Sequence, residues 1–241
     1  MNYALIFAGG VGKRMHSQAI PKQFMEVKGK PIIVYTLEHF MTCAEIDAIC
    51  LVIVKDWINY MIDITKEYNL TKVQWIIPGG ETALDSQYLG LKTIASKRVV
   101  NDNDIVLIHD GVRPLINNNL ISECITSVKQ YASAVTVAPA IETVVQVDQE
   151  NMIHSTVERS KCYMARAPQC FYLKDILKIH NMAISEGRHN FIDSTSMMLY
   201  YGHKVHIVMG PMENIKVTTP SDYHICMALL STNDNNETKR L

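Results

Sequence analysis

The chain has 241 residues, 23 Lys+Arg against 24 Asp+Glu, 48% hydrophobic residues and 7% aromatics. That excludes disordered and fibrous classes, and a chain of this length buries roughly 70% of its unfolded surface, so a core needs neither disulfides nor metal. A formal net charge of −1 argues against nucleic acid as a partner, while leaving room for a local basic pocket. Cys43, Cys50, Cys124, Cys162, Cys170 and Cys226 are scattered without a CxxC pair, the pattern of buried, reduced thiols. No charged leader and apolar core mark a secretory signal, and no apolar run approaches the ~18 residues of a membrane span. A cytoplasmic protein with no membrane partner is expected.

Short β-branched runs alternate with stretches of helical apolar spacing. In chain order they are strand Tyr3–Phe7, helix Ile32–Phe40, strand Ile49–Val54, helix Trp57–Tyr68, strand Val73–Ile77, helix Ser86–Ile94, strand Ile105–His109, helix Leu120–Tyr131 and strand Ser133–Val137. This rhythm predicts an α/β fold, a doubly wound, mostly parallel sheet flanked by helices. It breaks near residue 138, where Thr143–Val147 and Met152–Val157 read as a hairpin around Asp148–Asn151, a shape suited to meeting a partner chain. Helices near Leu173–Ser185 and Ser194–Tyr201, strands Lys204–Met209 and Ile215–Val217, and a helix from Pro220 capped by Thr219 complete the body. A single domain is expected over residues 1–230, with the hairpin arm at about 139–164 and a polar, frayed tail at 231–241.

Four segments carry chemistry. The first strand runs into Ala8-Gly9-Gly10-Val11-Gly12-Lys13-Arg14-Met15. Glycines at a strand's C-terminal edge let backbone N–H groups approach phosphate, and the cations neutralise charge. The stretch is neither a P-loop nor a Rossmann fingerprint, because Phe7, Arg14 and Met15 occupy positions those motifs assign otherwise; a plain strand-to-helix turn is the alternative. Pro21-Lys22-Gln23-Phe24 adds a cation to the same excursion. The second segment, His109-Asp110-Gly111-Val112-Arg113-Pro114, ends a buried strand in an acid and an arginine. Asp110 suits Mg²⁺ through oxygen, or simply pairs with Arg113. His109 fits a backbone-bonded histidine better than a metal ligand. The third, Gly79-Gly80-Glu81-Thr82-Ala83-Leu84-Asp85-Ser86, again joins a strand to a helix, with Thr82 or Asp85 available as caps. In the fourth, Glu213-Asn214-Ile215-Lys216-Val217-Thr218-Thr219-Pro220, alternation points Lys216 either to solvent or into a site. The nine histidines form no HxxxH or HExxH spacing, so zinc is not expected.

Taken jointly, AGGVGKRM with PKQF, HDGVRP, the GG-to-DS segment and ENIKVTTPSD, in this order over nearly the whole chain, resemble the cytidylyltransferases that activate sugar-alcohol phosphates. That family includes enzymes acting on 2-C-methyl-D-erythritol 4-phosphate and on D-ribitol 5-phosphate. The resemblance implies a Rossmann-like nucleotidyltransferase fold, Mg²⁺ as cofactor, and a homodimer formed by exchange of the projecting β-arm. It implies CTP on Phe7, Ala8, Gly9, Gly10, Val11, Gly12, Gly80, Glu81, Ser86 and Asp110, with Asp110 also holding the metal. Arg14, Lys22 and Lys216 match the catalytic cations around the reacting phosphates. Arg113, Thr143 and Arg159 match contacts to the acceptor phosphate, the last two from the other subunit's arm.

A phosphate monoester, with a second pKa near 6, is already a nucleophile at neutral pH. No general base is needed, and fixed cations carry the charge of an in-line displacement. Ala83, Ala167 and Ile192 depart from the family pattern and bear on acceptor recognition. The AGG loop, PKQF and the KVTTP run look nearer the ribitol-phosphate branch, so D-ribitol 5-phosphate is the expected acceptor. The alternatives are the methylerythritol compound, another polyol phosphate, a sugar 1-phosphate nucleotidyltransferase, and a non-catalytic nucleotide-binding protein.

Overall fold

Alternating residues of Asn2–Ala8 (β1) send side chains to two different cores. Ala4, Ile6 and Ala8 enter one apolar cluster, and Tyr3 and Leu5 enter the other. A strand buried on both faces belongs to the middle of a helix-covered sheet. The computed structural model describes residues 1–9 and 20–238, with side chains as far as Thr232.

After β1 come a small ladder of Glu26–Val27 (β2) with Lys30–Pro31 (β3), helix Ile32–Thr42 (α1) and strand Ala48–Ile53 (β4). Helix Ile58–Glu67 (α2), strand Val73–Pro78 (β5), helix Ala83–Lys97 (α3), strand Ile105–Asp110 (β6), helix Asn118–Tyr131 (α4) and strand Ser133–Pro139 (β7) follow. The arm holds Val145–Val147 (β8) and Ile153–Thr156 (β9); then come Tyr163–Tyr172 (β10), helices Leu173–Ser185 (α5) and Ser194–Tyr200 (α6), strand Ile207–Met209 (β11) and helix Pro220–Thr238 (α7). The main sheet has seven strands in the order β11-β7-β10-β6-β1-β4-β5. α1, α2 and α4 cover one face. α3, α5 and α6 cover the other. α7 packs through Cys226 and Leu230 on Val27, Ile32, Val112 and Val217.

The mostly parallel sheet is confirmed with one exception. β10 lies antiparallel between β6 and β7, and no strand was expected there. YMARAPQCFY has no β-branched residue and contains a proline, a poor strand signal. Its place comes from hydrogen bonding on both sides, with a register shift between Ala165 and Gln169 around the proline. Two further expectations are corrected. Ile215–Val217 forms no strand, because its backbone is held by side chains, by a local bond from Ile215 N–H to the Glu213 carbonyl at 2.6 Å and by one bond from Val217 N–H to the Val112 carbonyl at 2.9 Å. The supposed tail from 231 continues α7 as far as Thr238, since the sequence there has no Gly or Pro to stop a helix. β8 and β9 do form the antiparallel hairpin.

Candidate active site

The C-terminal ends of β1, β5 and β6 meet at one edge, and a cleft of about 190 Å³ opens there. Phe7, Ala8, Gly9, Lys22, Gly80, Glu81, Ser86, Asp110 and Lys216 line it, so one site gathers nine of the residues singled out in the sequence. Gly10, Val11, Gly12 and Arg14 lie outside the described residues.

Close packing needs the glycines of this corner. A Cβ on Gly79 would stand 2.9 Å from Ser86 Oγ, and one on Gly80 only 2.4 Å from the Asp85 Cβ. Ser86 Oγ accepts from Gly80 N–H at 3.1 Å and donates to the Thr82 carbonyl at 2.9 Å. Thr82 and Asp85 form a reciprocal capping box on α3, so their first task is to start the helix. Gln23 was not singled out. It is buried, lines the cleft, and donates from Nε2 to the Ala8 carbonyl at 2.7 Å. The sequence carried no signal for it beyond its place next to Lys22, because its bond runs to a backbone carbonyl.

Asp110 ends β6 with its carboxylate between two cations. Arg113 Nε donates to Oδ2 at 2.8 Å, and Lys216 Nζ lies 2.5 Å from Oδ1. Burial alone would push this carboxyl up; Arg113 and Lys216 outweigh it and hold the acid down at about 2. It is ionised at any physiological pH. Lys216 thus points into the site, resolving the two options that alternation left open. Lys22 Nζ donates to the Val217 carbonyl at 3.0 Å and faces the same space.

Other residues are not gathered here. Arg113 takes the ion-pair option, with Nη1 donating to the Asn214 carbonyl at 2.9 Å, and it does not line the cleft. Thr143 and Arg159 sit exposed on the arm, where Arg159 Nη1 donates to the Ile141 carbonyl at 3.1 Å. Neither reaches this chain's own cleft. His109 is fully buried, its Nε2 3.2 Å from the Arg113 carbonyl, and burial pushes its pKa down to about 3. It is a neutral core histidine. Of the departures, Ala83 lines the cleft, Ala167 is buried with its carbonyl accepting from Asn214 Nδ2 at 2.8 Å, and Ile192 is 93% exposed.

The sequence profile of 2-C-methyl-D-erythritol 4-phosphate cytidylyltransferase (IspD) matches residues 3–232. The chain belongs to this cytidylyltransferase family. Within it, the chain is 48% identical over 237 residues to a ribitol-5-phosphate cytidylyltransferase of Streptococcus agalactiae serotype Ia, covering 98% of both chains. It is 47% identical over 235 residues to the ribitol-5-phosphate cytidylyltransferase of Vibrio parahaemolyticus serotype O3:K6, again covering 98% of each. Among solved structures, the 4-diphosphocytidyl-2C-methyl-D-erythritol synthase of Anaerococcus prevotii superposes with a TM-score of 0.81 at 28% identity, over 95% of this chain and 96% of that one. The Francisella tularensis 2-C-methyl-D-erythritol 4-phosphate cytidylyltransferase gives 0.76 at 27% identity, over 93% and 97%. The Rossmann-like cytidylyltransferase fold expected from the motifs is thereby confirmed, and the chain is an enzyme of that class.

Proposed function

We propose that the chain transfers CMP from CTP to D-ribitol 5-phosphate, releasing pyrophosphate and forming CDP-ribitol. The observation that carries this reading is the near half identity, over almost the whole length, to enzymes named for ribitol 5-phosphate, against 28% for the methylerythritol-type structure. The methylerythritol compound is the second reading, favoured by the family profile itself.

The chemistry follows from charge. The acceptor's phosphate oxygen attacks the α-phosphorus of CTP, its bond to phosphorus forms as the bond to the bridging oxygen breaks, and pyrophosphate leaves with that electron pair. Lys22 and Lys216 stand where they can neutralise the charge that grows in transfer. Arg14 is assigned the same work on sequence alone. Phe7, Gly80, Glu81 and Ser86 bound the space the nucleotide would take.

Mg²⁺ suits the site's donors. Asp110 is an ionised carboxylate on the cleft wall, and each of its oxygens keeps lone-pair capacity beyond one cationic partner. Magnesium commonly takes one or two carboxylates and completes its shell from substrate phosphates and water. Among the described residues no group of three or more His, Cys, Asp or Glu stands together, so the remaining ligands would be the substrate's. When bound, the ion would neutralise triphosphate charge.

Acceptor recognition would be completed by a second copy. The arm exposes Ile141, Val145, Val147, Met152, Ile153, Tyr163 and Met164, and a two-stranded hairpin is marginal without a surface to pack on. Docked on a second copy, it would carry Thr143 and Arg159 toward that copy's acceptor phosphate. Among the described residues no helix is long and apolar enough to cross a membrane, and the cytoplasm, where CTP is held, is the compartment this reading requires.

Incubation with CTP, Mg²⁺ and ribitol 5-phosphate tests the proposal. Mass spectrometry should find a CDP-alditol in step with pyrophosphate. CTP binding without any turnover would mark a nucleotide-binding protein instead.

A further inference from the structure

Lys216 stands on a stretch with no regular hydrogen-bonded structure. Residues 210–219 belong to no helix or strand, although their lysine must be placed to a fraction of an ångström for the charge arguments above to hold. Three of its carbonyls are met within the segment, Pro211 by Asn214 N–H, Glu213 by Ile215 N–H and Lys216 by Thr218 Oγ1, and others need partners from elsewhere. Arg113 supplies one through Nη1 on the Asn214 carbonyl, at 2.9 Å. Asn214 Nδ2 grips the Ala167 carbonyl at 2.8 Å, and Lys22 Nζ takes the Val217 carbonyl at 3.0 Å.

A further anchor is Arg166, which neither the motifs nor the cleft lining point to. Its Nη1 donates to the Met212 carbonyl at 2.7 Å and reaches the Pro211 carbonyl at 3.4 Å. Arg166 sits inside the register shift of β10, between Ala165 and Gln169, where the ladder is interrupted and a side chain can be re-aimed. A half-buried guanidinium beside Arg113 is not a cheap arrangement. Burial first, then Arg113, push Arg166 below its ordinary value, with Glu213 opposing them. Charge-assisted bonds from one guanidinium nitrogen to two backbone carbonyls are a specific return for that cost.

We infer that Arg166 is a positioning residue for the transfer reaction, clamping the Pro211–Met212 turn so that Lys216 is presented to the cleft beside Asp110. The inference rests on the proposed role of Lys216. It assigns Arg166 no contact with either substrate.

A double-mutant cycle in the full chain separates the possibilities: Arg166→Gln, Arg166→Lys, Lys216→Ala and the double variants, assayed with CTP, ribitol 5-phosphate and Mg²⁺. Where turnover is slow, enzyme in excess gives single-turnover rates. Arg166→Gln should lower kcat about 10- to 100-fold while both KM values move less than about threefold. In the Lys216→Ala background the same change should cost less than about twofold, because its effect runs through the missing lysine. Arg166→Lys, which keeps a cationic donor for the Met212 carbonyl, should recover a large part of the loss. Equal losses in both backgrounds would overturn the inference, and so would full activity of Arg166→Gln. If Lys216→Ala alone keeps full turnover, the role given to Lys216 has failed first. Melting temperatures accompany every variant, and if Arg166→Gln does not fold, Arg166→Met takes its place in the cycle, with the same non-additivity with Lys216→Ala required.

Discussion

Lys216 Nζ stands 2.5 Å from Oδ1 of Asp110, across the carboxylate from Arg113. The pair ties the segment carrying Lys216 to the end of β6, at the edge where the cleft opens. Removing the acid leaves Arg113, which is 9% exposed, without its countercharge. Asp110→Asn should therefore cost about 3 kcal/mol of stability, the usual penalty for breaking a buried pair, together with nearly all activity. Urea unfolding and the pyrophosphate assay check both, and unchanged stability would show that the ion pair is not holding this corner.

Lys22→Ala and Lys216→Ala should each slow turnover about 100- to 1,000-fold with much smaller changes in CTP affinity, because their charge matters most in the transition state. Arg14→Ala is expected to behave alike. Calorimetric CTP binding alongside kcat is the check. A loss confined to CTP affinity would mean ground-state binding only.

Gly80 has no room for a methyl group, since its Cβ would lie 2.4 Å from the Cβ of Asp85 at the start of α3. Gly80→Ala should destabilise by about 1–3 kcal/mol and weaken CTP binding as the first turn of α3 shifts. Thermal unfolding with and without CTP reads both effects.

If each site draws on two chains, Lys22→Ala and Arg159→Ala damage different sites of a mixed dimer. Co-expressed, the two inactive variants should regain about a quarter of wild-type activity, since half of the dimers are mixed and each has one intact site. Activity no higher than either parent would contradict the shared site.

Two buried histidines, His109 and His180, and the half-buried His39 shape the acid limb of stability. Burial pushes His109 down to about 3 and His180 to about 4, and lowers His39 as well. Between about pH 6 and 4 the unfolded chain takes up protons that His109 and His180 refuse in the folded chain, so stability must fall as pH falls through this window, by up to about 1.4 kcal/mol per pH unit for each of the two, with His39 adding in the same direction. Asp110, depressed to about 2, adds stability that is present above its unfolded value and is lost only at still lower pH. Urea midpoints from pH 7 to 4.5 should show the slope, and His180→Gln should flatten it.

Much of this was legible in the chain because the parallel core repeats one simple pattern. Tyr3–Phe7, Ile49–Val54 and Ile105–His109 match β1, β4 and β6 to within a residue at most ends, since strands buried on both faces leave continuous apolar runs. The glycine corner, Lys22 and Asp110 were legible for a related reason: strand ends are where such sheets bind ligands. β10 was not, because its strand character comes from its neighbours rather than its residues. The same holds for Lys216 and Arg166. Both are placed by long-range bonds to backbone carbonyls or to Asp110, which leave no periodic trace in the sequence.

The most direct measurement is kcat/KM for pyrophosphate release from CTP with ribitol 5-phosphate, 2-C-methyl-D-erythritol 4-phosphate and glycerol phosphates offered side by side. Ribitol 5-phosphate should exceed the others by at least about 100-fold, a margin that hydrogen bonds to its hydroxyls can supply. A preference for the methylerythritol compound, or no turnover with any of them, would contradict the assignment.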